Sequence, residues 1–287
     1  MSKLGFLSVI IPTYRDWGRL NLCLEAVRKQ TSGSECFEVI VVNNDPNDSV
    51  PENFEISSNC RVTSESAPGS YAARNKGASL AKGDVLAFTD ADCIPDIDWV
   101  SNILKHYSSH NGVLSGHVKM FSVRNSRFLN FSECYDYVFG INQEIYKDYQ
   151  VGATANLSFD RKSFNSVGGF DAKLLSGGDV DICKRVVSEG AAFIYDEGVR
   201  VKHPLRFDLK DLLVKAKRLT SGKIKKSKLK GFLTAIAPPL VRLRILFFKK
   251  KAPVYVKFKA FFVLVMIKLV QVFYAPLVLL FDVSERR

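Results

Sequence analysis

Three short apolar runs constrain this chain more than any other feature. Residues 6–11 (FLSVII), 37–42 (FEVIVV) and 84–89 (DVLAFT) are rich in β-branched and aromatic side chains. Such runs read as strands buried on both faces, the kind found in parallel sheets. Between them, residues 19–30 place Leu20, Cys23, Leu24 and Val27 at helical spacing, and residues 70–81 form a small-residue segment closed by Gly83. Three strand–helix units in about 90 residues predict a doubly wound α/β sheet. Ligands of such sheets sit beyond the carboxyl ends of the strands. Here those ends are polar: Thr13-Tyr14-Arg15-Asp16, Asn43-Asn44-Asp45 and Asp90-Ala91-Asp92. Farther on, residues 113–120 and 191–201 read as strands, and residues 179–189 as a helix.

Charge divides the chain unevenly. Of a net +12 over 287 residues, residues 202–251 carry +14, which leaves −2 for the rest. A near-neutral body with a basic block fits a polyanionic partner such as acidic lipid, phosphate or nucleic acid. Six cysteines occur with no C-x-x-C pair, so zinc ribbons and thioredoxin-like redox sites have no support in the sequence. Met1-Ser2-Lys3 and the short run that Pro12 ends lack a secretory signal pattern, so reduced thiols in the cytoplasm are expected.

Asp90 and Asp92 stand two apart at the end of an extended run, and such residues point to the same side. Two carboxylates so placed suit a hard divalent cation with positions left open for phosphate oxygens. A solvated turn has the same short pattern. The surroundings add weight. SVIIPTYRD, EVIVVNNDP, APGSYAARNKGASLAKGD, LAFTDADCIPDIDW, GATANLSF, VGGFD and GGDVDICKR occur in that order. Together they resemble the family 2 glycosyltransferases of the GT-A fold, over about residues 7–206.

The resemblance implies roles for particular residues. Pro12, Thr13, Tyr14 and Asp16 would touch the nucleoside. Asn43, followed by Asn44 and Asp45, stands where the family usually has an Asp that reads a uracil. An amide both donates and accepts where an ionised Asp only accepts, so the choice of base stays open, as does a plain turn. Gly69, Arg74 and Asn75 match the segment bordering the nucleotide, although a surface helix would also carry such an Arg. Asp90 and Asp92 match the signature that holds a divalent cation, Mn²⁺ or Mg²⁺, with the diphosphate. His203 is a looser match to a later metal ligand, and a structural His is the alternative. In Gly178-Asp179-Val180-Asp181 the family's usual first acid is replaced by Gly178. Asp179 matches the catalytic base, with Asp181 as the competing carboxylate and a helix cap as the plainer role for Asp179. Asn156, Gly169, Phe170 and Asp171 would shape the acceptor half. The Q-x-x-R-W motif of processive synthases is missing, which implies transfer of a single sugar.

Residues 260–281 hold one charge, Lys268, in 22 residues. A helix of that length spans about 33 Å, enough for a bilayer core. A central Lys would cost about 2.5–3.5 kcal/mol there. Lys257, Ala260, Lys268, Gln271 and Ala275 fall on one stripe, which favours a helix in the interface or packed on a partner. Arg242, Arg244 and Lys249-Lys250-Lys251 beside apolar segments suit an anionic cytoplasmic leaflet.

The sequence therefore predicts a nucleotide-sugar-binding half (1–110), an acceptor-binding half (111–205) and a basic, apolar helical region (206–287). Cutting the chain after about Leu205 should leave the catalytic body folded. The expected activity is inverting transfer from a nucleotide sugar to a saccharide or lipid-linked saccharide at the cytoplasmic face of a membrane. Nucleic acid is not an expected partner. Nucleotidyl transfer and non-catalytic nucleic-acid binding are the rival readings; the first has no need of Gly-Gly-Asp-Val-Asp.

Overall fold

The computed structural model describes residues 5–124, 126–174, 176–248 and 252–281. Met1-Ser2-Lys3 and Lys249-Lys250-Lys251 lie outside them. In chain order come β1 (Leu7–Thr13), α1 (Trp17–Arg28), β2 (Phe37–Asn43), β3 (Cys60–Ser64), α2 (Ser70–Leu80), β4 (Val85–Phe88), β5 (Ile94–Pro95), α3 (Trp99–Tyr107) and β6 (Val113–Phe121). Then follow α4 (Phe131–Phe139), α5 (Gln143–Tyr146), β7 (Leu157–Asp160), α6 (Arg161–Ser166), α7 (Gly178–Ser188) and β8 (Phe193–Pro204). The rest is helical: α8 (Leu209–Lys226), α9 (Lys228–Ile236), α10 (Leu240–Phe248) and α11 (Val254–Phe281).

By contact the chain forms two compact units, 1–119 with 142–203, and 120–141 with 204–287. The first is built on an eight-stranded sheet of order β3-β2-β1-β4-β7-β6-β8-β5. β3, β2, β1 and β4 run parallel, while β7 is antiparallel to both β4 and β6. Every residue of β2 and β4 is buried, which is why their sequences are continuous apolar runs. The halves expected at 1–110 and 111–205 do not separate, because β4 and β7 share ladder bonds and one core. Phe88, Leu157, Phe159, Phe164 and Phe170 pack together in it.

Asn156, expected on the acceptor side, is a buried structural hub, 2% exposed. Its Oδ1 accepts from Trp99 Nε1, and its Nδ2 donates to the carbonyls of His117 and Val199, all at 2.9 Å. It thereby ties α3, β6 and β8. A Cβ on Gly116 would lie 2.2 Å from this amide, so the strand needs glycine there. Asn156→Ala would orphan one donor and two acceptors. At about 1–3 kcal/mol for a buried polar group left unsatisfied, the expected loss is about 3 kcal/mol. Urea denaturation measures it as a lower midpoint with an unchanged slope.

In the second unit, α4 begins with a capping box: Glu133 N–H donates to Asn130 Oδ1, and Asn130 N–H to Glu133 Oε2, both at 2.8 Å. Cys134 and Val138 pack with Leu246, Val256 and Ala260, while Tyr135 packs with Leu212, Ala216 and Val263. Residues 120–141 thus group with the C-terminal helices. A cut after Leu205 would strip α4 of that packing, which corrects the expectation of a cleanly removable tail.

α11 is longer than the apolar run expected from the sequence, 28 residues from Val254, with a mean hydropathy of 2.3 over its most apolar window. Ala260 and Ala275 of the predicted stripe are buried. Lys268 is spent inside the unit: its Nζ donates to the carbonyls of Ala235 at 2.5 Å and Thr234 at 3.3 Å, in the last turn of α9. The unsatisfied carbonyls of a helix end are a favourable place for an ammonium. The opposite side is bare and apolar, with Phe258 61%, Phe273 73% and Leu280 75% exposed. α9 and α10 are bent by 47° at the break containing Pro238-Pro239.

Candidate active site

The polar strand ends predicted from sequence meet at one edge of the first unit. Past β1, Arg15 adopts φ 52°, a backbone conformation uncommon for a residue with a side chain. Its guanidinium pairs with Asp45 at 2.6 Å and holds that carboxyl below the usual range. The N–H of Asn44 donates to the carbonyl of Thr13 at 2.8 Å. The loops after β1 and β2 are therefore one structure.

Within it the two asparagines serve the backbone. Asn44 donates to the carbonyls of Glu65 and Ala67, at 2.9 and 2.8 Å, and accepts from Gly69 N–H at 2.8 Å. Its amide is spent on holding the loop that leads into α2. Asn43 donates to the carbonyl of Asp48 at 2.5 Å and accepts from Asp45 N–H at 3.1 Å. Thr13 behaves differently: its Oγ1 is buried with no hydrogen-bond partner among the described residues. Buried polar atoms are rarely left so, and those that are mark places where a ligand completes the set.

Past β4, one ligand atom from each of Asp90, Asp92, Cys93 and His203 lies within 4.8 Å of the others. His203, at the end of β8, is 2% exposed, with Nε2 3.6 Å from Asp92 Oδ1. Burial, reinforced by the two aspartates, pushes the Cys93 thiol well up, and a soft sulfur is a poor match for a hard divalent cation. Two carboxylates and an imidazole are left, a hard to borderline donor set that fits Mn²⁺ or Mg²⁺. Arg19 was not anticipated from sequence. It donates to Asp16 at 3.0 Å and stands 3.8 Å from Asp92, which links the first loop to the acidic pair.

Arg74 joins this cluster to the predicted base. Only 4% exposed, it donates to Asp90 Oδ1 at 2.5 Å, and its Nε has no partner among the described residues. One turn earlier on α2, Tyr71 lies with its ring centroid 5.7 Å from that guanidinium. The Tyr71 hydroxyl accepts from Gly178 N–H at 2.8 Å and donates to Asp179 Oδ1 at 3.4 Å. Burial and Asp179 push this phenol up to about 12, so it remains a donor. A Cβ on Gly178 would lie 2.7 Å from the Tyr71 ring. The ring thus fills the space that a first acid would need, which is the physical reason Gly178 stands there.

Gly177, in the left-handed region at φ 76°, is the residue that opens α7; Asp179 is not the cap. Asp179 is partly buried, and desolvation raises its carboxyl while Arg74 pulls it back. Asp181 is committed elsewhere. It pairs with Arg185 at 2.8 Å, and Arg185 also donates to the carbonyls of Val167 and Gly169, at 2.6 and 2.8 Å. Asn75 and Phe170 exchange two bonds, at 2.7 and 2.9 Å, which fix the turn at Gly169-Phe170-Asp171 to α2.

Comparison with known proteins gives the same answer from another side. The profile of the family described as Glycosyl transferase family 2 matches residues 8–168. Glycosyltransferase AglE of Haloferax volcanii is 32% identical over 234 residues, covering 78% of this chain and 74% of that protein. Glucosyl-dolichyl phosphate glucuronosyltransferase of the same organism is 28% identical over 220 residues, covering 69% of each. Among solved structures, the mannosyltransferase PcManGT from Pyrobaculum calidifontis, in complex with GDP-Man and Mn²⁺, superposes with a TM-score of 0.58. It covers 97% of this chain and 88% of that one at 16% identity, a likeness of fold. The fold is the GT-A type.

Proposed function

This chain belongs to glycosyl transferase family 2, and we propose that it moves one sugar, with inversion, from a nucleotide sugar to a lipid-linked saccharide at a membrane surface. The observation that carries this reading is the line of contacts Asp90–Arg74–Tyr71–Asp179. It couples a cation-type carboxylate cluster to a single carboxylate of raised basicity. A donor diphosphate and an acceptor hydroxyl are the two things such a pair can serve.

Asp90, Asp92 and His203 would hold a divalent cation, which when bound neutralises the diphosphate and makes it a better leaving group. Thr13 Oγ1 and Arg74 Nε, buried and without partners among the described residues, are the donors we assign to the donor nucleotide. The Arg74 guanidinium stays charged and fixes Asp90. Asp179 takes the proton of the acceptor hydroxyl as its oxygen bonds to the anomeric carbon. The bond from that carbon to the diphosphate oxygen breaks, and its electron pair leaves with the nucleotide. One base and no protein nucleophile give a single displacement, hence inversion. Asp181, tied to Arg185, plays no part.

The lipid-linked acceptor is supported by the bare apolar side of α11 and by the relative named for a dolichyl phosphate substrate. The basic residues beside it support a cytoplasmic face. Nucleotidyl transfer gives way to glycosyl transfer with the family assignment.

The test is thermal shift of the purified full-length protein against a panel of nucleotide sugars with Mn²⁺. A ligand at 100 times its Kd stabilises by about 2.7 kcal/mol, which at this chain length raises Tm by about 4–5 °C. One nucleotide should do so, only with the metal, and should lose its sugar to an acceptor extract. No shift with any nucleotide sugar would sink the reading.

A further inference from the structure

Every exposed side chain of α11 is apolar or aromatic, while Lys257, Lys259, Lys268 and Gln271 are half-buried. Phe258, Phe262, Leu269, Phe273 and Leu280 are among the exposed ones, and their helical spacing sets them on one stripe along the helix. The other side is covered by protein. Val263, Leu264 and Ile267 pack with Leu212 and Ala216 of α8, and Tyr274, Ala275 and Val278 pack with Ile224 farther along it. Between these contacts Ser221 Oγ donates to the Tyr274 hydroxyl at 3.3 Å. α8 therefore runs alongside α11 from Val263 to Val278, about 22 Å of helix.

The companion helix limits how α11 can meet a membrane. α8 carries Lys210, Lys215, Lys217, Arg218, Lys223, Lys225 and Lys226. A bilayer core about 30 Å thick takes in about 20 helical residues. Any stretch of about that length within α11 includes Val263, Leu264 and Ile267, the residues packed on Leu212 and Ala216. Crossing would thus draw the middle of α8, with Lys215, Lys217 and Arg218, to the depth of the hydrocarbon. Lysine and arginine are costly there.

Lying flat avoids that cost. With the stripe turned to the acyl chains, an interfacial helix sits about 5–10 Å deep. A packed neighbour runs about 8–10 Å away, which puts α8 at the level of the headgroups. Lys223, Lys225 and Lys226 at its end, and Lys228 and Lys230 around the start of α9, are exposed, and lysines at that level suit anionic lipid. Lys268 fits the same seating, because the carbonyls of Thr234 and Ala235 hold its Nζ on the protein side.

We propose that α11 lies in the plane of one leaflet over its whole length, seated on its bare stripe, and does not cross the bilayer. This seating rests on the membrane-surface reading above and not on the transfer chemistry. Both ends of α11 then stay at the same leaflet, and the unit is an anchor inserted from one side.

The experiment measures depth at three points. Phe258, Leu269 and Leu280 recur every 11 positions, so they keep to one line and stand about 16 Å apart along the axis. Phe258→Trp, Leu269→Trp and Leu280→Trp are made singly in the full-length protein. Each is reconstituted in vesicles of phosphatidylcholine and phosphatidylglycerol whose acyl chains are brominated either near the headgroups or near the midplane. Quenching of the wild type, from Trp17 and Trp99, is subtracted. All three positions are exposed, so the exchanges leave the packing in place, which circular dichroism checks. The shallow bromine should quench all three introduced indoles more than the deep one, and in the same ratio, since the stripe lies at one depth. A crossing helix would give another pattern, with Leu269→Trp quenched most by the deep bromine and the other two by the shallow one. That pattern overturns the proposal. Absence of quenching at all three positions overturns it together with the membrane-surface reading. Level, shallow quenching in a protein that binds no nucleotide sugar would support the seating while removing only the transferase reading.

Discussion

Replacing Asp179 with asparagine is expected to cut turnover by about 10²–10⁴, the usual contribution of a positioned base, while nucleotide affinity is kept. The amide cannot take the acceptor proton but still accepts from the Tyr71 hydroxyl. Two further readouts separate this from a structural role. The Asp179 carboxyl is raised by desolvation, so in the wild type the acid limb of kcat should lie above pH 4, where an ordinary Asp titrates. A carboxyl raised on folding makes the charged form the disfavoured one. Its cost to stability is therefore fully present above the folded pKa, and disappears as pH falls below the unfolded pKa. Asp179→Asn should thus raise Tm at neutral pH, and that gain should vanish in acid. Asp181→Asn should do the opposite: little effect on the acid limb and a lower Tm, since it breaks the pair with Arg185. A kcat loss confined to Asp181→Asn would show that the wrong carboxylate has been assigned.

Replacing Phe258, Phe273 and Leu280 together with serine is expected to release the protein from membranes without unfolding it. All three are more than half exposed, so little of the unit's own packing is lost. Each withdraws about 1.5–3 kcal/mol of apolar transfer from the bilayer interface. What is left is the basic charge of α8, worth about 1 kcal/mol per cation near anionic lipid and screened by salt. High salt should therefore strip the variant completely and the wild type only in part. Fractionation with and without salt, with circular dichroism of the variant, measures this. A wild type found wholly in the soluble fraction would mean that the bare side of α11 meets something other than lipid.

How much of this was legible in the sequence depends on how local each signal is. β1, β2 and β4 could be read directly, because strands buried on both faces leave continuous apolar runs. β3 could not: its residues are half-buried or exposed, and CRVTS carries no clean alternation. β5 is two residues long and owes its existence to pairing with β8. The acidic pair and Asp179 were visible as motifs, but their coupling was not. Tyr71 is 108 positions from Asp179, and a helical tyrosine reads as core until the fold brings the two together. Lys268 looked like a cost to any apolar helix because the carbonyls that receive it lie 33 and 34 positions earlier. The place of residues 120–141 was hidden for the same reason, since α4 is held by helices that come more than 70 residues later.

The central claim is that Asp90 and Asp92 hold a cation through which the donor diphosphate binds. Calorimetry of GDP and UDP, with and without Mn²⁺, on the wild type, Asp90→Asn and Asp92→Asn tests it most directly. The wild type should bind one of the two nucleotides tightly only when the metal is present. Both variants should lose that metal-dependent gain while keeping their fold. Wild-type affinity in both variants, or tight nucleotide binding that ignores the metal, would contradict the account.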